Sequence, residues 1–132
     1  MPRLQEVDAI GAQFYLNGQY ANAINALLLF WQPVTMAQIG ANQNNYNVGE
    51  FRVARLSSDA SRNITGFANG ENGIVLHVIN VGAQDIVIQD QHVDSSEANR
   101  VITLSGADVT LGPDAVMLLW YDPVTLRWRQ IV

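Results

Sequence analysis

Chemistry in this 132-residue chain would have to come from two histidines and one short acidic run. Asp90, His92, Asp94 and Glu97 place three carboxylates and an imidazole within eight residues, a density able to gather a calcium ion. The ligand order of a tight calcium loop is missing, as is its central glycine, so the run reads as a solvated loop without metal. His77 sits among apolar neighbours in Ile74-Val75-Leu76-His77-Val78-Ile79. That setting suits a satisfied core histidine or a subunit-interface histidine better than a ligand. Neither histidine belongs to a His-x-x-x-His pair, and the chain has no Gly-x-Ser-x-Gly elbow and no phosphate-binding Gly-Lys loop. The expectation is a non-enzymatic protein with no catalytic residue, no cofactor and no metal.

Aromatic residues offer a second kind of chemistry, the stacking of a saccharide. Trp120, Tyr121 and Trp128 are the candidates, but Trp120 and Tyr121 are neighbours on one strand and point to opposite faces. They cannot share a flat platform. Trp128 returns across a hairpin and should form a cross-strand pair with one of them. Period-two alternation groups Val116, Leu118 and Trp120 on one face, expected to be the core face. Arg62 and Arg100 each lie beside an asparagine and read as clamps on loop carbonyls. Asn63-Ile64-Thr65 is formally a glycosylation sequon and reads here as a turn into a strand.

Composition narrows the classes further. Only 14% of residues are charged, all seven basic residues are scattered arginines, and the net charge is −5. No basic stripe exists to neutralise a row of phosphates, which argues against nucleic-acid binding. The absence of cysteine fits assembly in a reducing cytoplasm. Met1 to Glu6 lack a secretory pattern. The longest apolar run, Ala26 to Trp31, falls far short of the roughly 18 to 20 residues that span a bilayer, so no membrane partner is expected. An amide-rich, weakly charged surface suits permanent protein contacts, because amides bury more cheaply than unpaired charges.

The elements that must position these residues divide near residue 50. Residues 1–50 read as an arm. Within it Tyr20, Ile24, Leu27, Leu28 and Trp31 share a helical face over 20–31, although the continuous apolar run also allows a buried strand. Pro33 would end such a helix. Phe14, Tyr15, Tyr20, Phe30 and Trp31 are too large for the arm to bury alone, which makes them the candidate partner-binding residues. Deleting residues 1–45 should then leave a folded remainder. From residue 51 to 132, seven to eight short strands with regular turns predict an all-β fold, an antiparallel β-sandwich or jelly roll. Ile74 to Asn80 is apolar on both faces and should be central.

The segments Leu56 to Gly66, Gly73 to Gly82, Glu97-Ala98-Asn99-Arg100, Leu111-Gly112-Pro113, Tyr121-Asp122 and Arg127-Trp128 together resemble a domain of tailed-bacteriophage virion proteins. That domain occurs in tail fibres and in small capsid decoration proteins. The resemblance implies a β-sandwich working as a homotrimer. Because no heptad stalk precedes the domain, the leading expectation is a decoration or cement protein on the capsid exterior, made in the bacterial cytoplasm and partnered by the major capsid protein. The alternative is a tail-fibre tip or adaptor that binds host saccharide.

Overall fold

Short runs of β-branched and apolar residues, separated by corners rich in Asn, Gly, Asp and Ser, dictate the strands. The computed structural model describes residues 32–50 and 52–132. The helix or strand expected over 20–31, and the candidate residues Phe14, Tyr15, Tyr20, Phe30 and Trp31, lie outside the described residues. The strands are β1 Pro33–Thr35, β2 Val53–Leu56, β3 Arg62–Ile64, β4 Val75–Asn80, β5 Ile86–Ile88, β6 Val101–Ile102, β7 Val109–Leu111, β8 Val116–Asp122 and β9 Arg127–Gln130. Beyond residue 50 the chain forms eight strands, within the seven to eight expected.

The sheets are mixed, which corrects the antiparallel jelly-roll expectation. One sheet has the order β1-β2-β4-β8-β9-β6, and the other β3-β5-β7. β1 with β2, β2 with β4, β3 with β5 and β6 with β9 are parallel, whereas β4 with β8, β5 with β7 and β8 with β9 are antiparallel. The chain coils: β2 lies in the larger sheet, β3 in the smaller, β4 in the larger again and β5 in the smaller, so successive passes stack in parallel like turns of a solenoid. Antiparallel neighbours could join by tight hairpins, but parallel neighbours need a crossover, and here the opposite sheet supplies it.

Residues 33–48 form the first turn of this coil. Beyond β1, Ile39, Gln43 and Tyr46 bridge in parallel to Ser58, Ile64 and Phe67, and Ile39 and Val48 belong to the core. The compact unit therefore runs from Gln32 to Val132. The portion of the expected arm from residue 32 on is built into the fold, because Val34 and Ile39 extend the same apolar stack that β2 and β4 continue.

Between the sheets lie Leu56, Ile64, Phe67, Leu76, Val78, Ile86, Ile88, Met117, Leu119, Tyr121 and Trp128, all buried. β4 is central in its sheet, as expected, with Leu76, Val78 and Asn80 inward and Val75, His77 and Ile79 half-buried on the other face. Buried Asn80 is fully used: its Nδ2 donates to the Gln84 and Leu111 carbonyls, and its Oδ1 accepts from the Gly82 amide.

The core face of β8 is the reverse of the one expected. Met117, Leu119 and Tyr121 point inward, whereas Val116 is exposed, Leu118 half-buried and Trp120 36% exposed. The strand is apolar on both faces, so residue type alone does not choose between them. What decides is the partner each aromatic finds. The Tyr121 hydroxyl donates to the Ala98 carbonyl at 2.9 Å, and its ring meets Trp128 edge-on at 5.1 Å.

Candidate ligand-binding cleft

A loop from Gly66 to Gly73 connects β3 to β4, and its shape starts from glycines placed where no side chain fits. A Cβ on Gly66 would come within 2.3 Å of the Asn99 carbonyl oxygen, and one on Gly70 within 2.1 Å of the Tyr121 ring. Between them Phe67 donates its amide to the Asn99 carbonyl at 2.8 Å and accepts from the Trp128 indole at 2.8 Å. Asn69, Asn72 and Gly73 adopt positive φ of 66°, 38° and 75°, values that amide side chains and glycine tolerate best.

Segment 92–100 runs alongside this loop, bridged to it at Gly66 and Arg100, and polar side chains tie the segment to Thr65 and Asn45. Thr65 and Ser95 share a hydroxyl hydrogen bond at 2.7 Å. Asn45 accepts from the Ser96 amide and the Asn99 side chain through Oδ1 while its own amide donates to Ser95. Arg100 donates from Nε to the Ser95 carbonyl at 2.9 Å, the loop clamp expected of it. Arg62 clamps differently, reaching both carboxylate oxygens of Asp59 at 2.7 and 3.0 Å. That bond holds the Asp59 carboxyl below the usual carboxylate range.

With its inner side consumed, the same loop faces outward onto a cleft of about 350 Å³ lined by Glu50, Arg52, Asn69, Gly70 and Glu71. That volume is at the small end of the roughly 300–1,000 Å³ typical of ligand pockets. The lining is positioned from behind. Asn69 Nδ2 donates to Asn47 Oδ1 at 2.8 Å, and Asn47 Oδ1 also caps the Gly49 amide at 2.7 Å. The Arg52 carbonyl accepts from the His77 amide at 2.8 Å and lies 3.1 Å from His77 Nδ1. The Glu71 carbonyl accepts from Ile74, whose own carbonyl accepts from the Tyr121 amide. At the far end of the loop, a Cβ on Gly73 would sit 3.2 Å from Trp120 Nε1, which places the exposed indole against the segment that walls the cleft.

The residues singled out in the sequence distribute as follows. His77 stands on the outer face of β4 and holds the backbone that carries Arg52. His92 and Asp94 pair loosely at 3.8 Å on the surface. Asp90 is occupied by Thr103, accepting from its amide and hydroxyl. Among the described residues no group of three or more His, Cys, Asp or Glu is arranged to hold a metal, and none of their helices is long and apolar enough to cross a membrane. Trp128 pairs with Tyr121 in register, as the cross-strand argument required. Glu50, Arg52, Asn69 and Glu71 escaped the sequence reading, because polar residues in separate loops carry no periodicity. The signal at hand was local: Asn69-Gly70-Glu71-Asn72-Gly73 is rich in residues that tolerate positive φ, which marks a turn and not a site.

Residues 32–129 match the family model of the phage depolymerase C-terminal beta sandwich domain. The matched span begins where the compact unit begins. No curated protein and no solved structure matches the chain. The match agrees with the resemblance to tailed-phage virion proteins. It gives the capsid-decoration reading no support and sides with the tail-fibre alternative.

Proposed function

Since the chain belongs to the phage depolymerase C-terminal beta-sandwich family, we propose that it is a non-catalytic module of a tail fibre or tailspike that contacts saccharide on the host surface. The observation that carries this reading is the family match over residues 32–129. The site supports it through contrast. The corner residues spend their polar groups on one another, whereas Glu50, Asn69 and Glu71 border a cleft on a loop end that the corners hold rigid. A scaffold that fixes loops beside a polar cleft is suited to binding.

The module works as a homotrimer in this reading. Support comes from the outer face of the larger sheet, where His77 and Ile79 of β4 lie beside Leu118 and Val116 of β8. An apolar sheet face of this extent suits a subunit contact, and His77 is then an interface residue as well as a support for Arg52.

The test is competition. Purified full-length protein added to host cells before infection should slow phage adsorption in a dose-dependent way, and incubation with host polysaccharide should release no new reducing ends. Unchanged adsorption at saturating protein would contradict receptor binding, and released reducing ends would contradict the non-catalytic assignment.

A further inference from the structure

We infer that the cleft lined by Glu50, Arg52, Asn69, Gly70 and Glu71 is a saccharide site for uncharged sugar units and that it discriminates against acidic ones such as uronates. This rests on the receptor-binding reading and adds to it a location and a ligand class.

Donors, acceptors and charge together select the ligand. Two carboxylates and an amide border the cleft. A carboxylate offers only acceptors, with two oxygens able to take a pair of neighbouring donors. Vicinal hydroxyls of a sugar ring provide such a pair. Asn69 commits its Nδ2 to Asn47 and so presents its carbonyl oxygen as a further acceptor. Arg52 lies beside them in the lining, with its backbone anchored through His77. The lining is therefore weighted toward accepting hydrogen bonds from hydroxyl or amide donors.

Charge sets the discrimination. Glu50 and Glu71 against Arg52 leave the lining with one net negative charge, and the chain as a whole carries −5. A uronate entering here would set its carboxylate against two others with one guanidinium to offset them. The local and global fields have the same sign, so they add. Trp120 supplies the apolar complement: exposed, and lying against Gly73 at the end of the same loop, its indole can receive the C–H face of an adjoining ring. The cleft is open to solvent, so the effect on affinity is of moderate size and shrinks with salt.

The test uses the full chain on a panel of immobilised bacterial surface polysaccharides, half built of neutral sugars and half containing uronates, read by biolayer interferometry in low and in physiological salt. Wild-type protein should prefer the neutral set by about tenfold at low salt, with a narrower margin at physiological salt. The double variant E50Q/E71Q should bring the two sets within about twofold of each other, chiefly by gaining uronate binding. The exposed-loop variant H92A serves as the unaltered control, and circular dichroism melting verifies that each variant is folded. Equal or better binding of uronates by wild type would overturn the inference. So would a preference that E50Q/E71Q leaves intact, since the receptor site would then lie elsewhere while saccharide binding stands. If wild type binds no polysaccharide of either set, the receptor-binding reading falls together with this one.

Discussion

Strand β8 separates two regions built to opposite rules. On its inner face Met117, Leu119 and Tyr121 are buried against the smaller sheet, and the polar atoms of the buried aromatics find partners within the fold, the Tyr121 hydroxyl in Ala98 and the Trp128 indole in Phe67. On its outer face Val116 and Trp120 stand exposed, and the loop that wraps the end of the strand turns Gly70 inward and Asn69 and Glu71 outward. The inner region tolerates no added atom, since the Gly66 and Gly70 positions are already filled by their neighbours. The outer region carries the carboxylates of Glu50 and Glu71 and the exposed Trp120 indole. The packed core and the proposed recognition surface thus lie on opposite sides of one strand.

The most severe way to probe the division is to cut into the inner region. Deleting residues 1–45 removes β1, Ile39 and the strip that bridges to β3, so the chain should lose its cooperative unfolding transition, whereas deleting 1–31 should preserve it. This reverses the outcome anticipated from sequence for the longer deletion. A paired substitution sharpens the point. Trp128→Ala should destabilise by about 3–5 kcal/mol in urea unfolding, the usual range for a buried aromatic. Trp120→Ala should cost less than about 1 kcal/mol, as befits a surface position, and should weaken saccharide binding instead. Equal losses for the two tryptophans would erase the distinction between faces.

How much of this was legible in sequence follows the same line. Strand positions and the Trp128 cross-strand pair were readable, because alternation and turn chemistry are local; Asp122-Pro123-Val124-Thr125, with proline at its second position, is such a turn. The turn is realised by Asp122 Oδ1 accepting from the Val124 amide at 2.9 Å. Parallel pairing was not readable, since a period of two is the same in both kinds of ladder. Nor was the inward face of β8, where Val116, Leu118 and Trp120 are as apolar as Met117, Leu119 and Tyr121, and the choice depends on carbonyls of Ala98 and Phe67 supplied from distant loops. The cleft was invisible for a related reason: Glu50 and Glu71 meet only after the chain has coiled once.

Smaller perturbations refine the comparison. Tyr121→Phe keeps the ring packing on Trp128 and Gly70 but leaves the Ala98 carbonyl without its donor, and should cost about 1 kcal/mol. A pH titration isolates Asp122. The Arg129 guanidinium, aided by the Val124 amide, lowers its carboxyl from the ordinary 3.8 to about 2. A depressed pKa means that the stabilising contribution is complete above about pH 4 and disappears as pH falls toward 2. Unfolding midpoints should therefore drop across that acid window in wild type, and Asp122→Asn should flatten the drop. Least of all, His92→Ala and Asp94→Ala should shift stability by no more than about 0.5 kcal/mol and leave polysaccharide binding unchanged.

A tail component and a head component differ most plainly in copy number. Quantitative mass spectrometry of purified virions, with the major capsid protein as internal standard, should find a few to tens of copies per particle, as a set of trimeric fibres or spikes requires. Hundreds of copies, in fixed ratio to the capsid protein, would contradict the account and return the protein to the head.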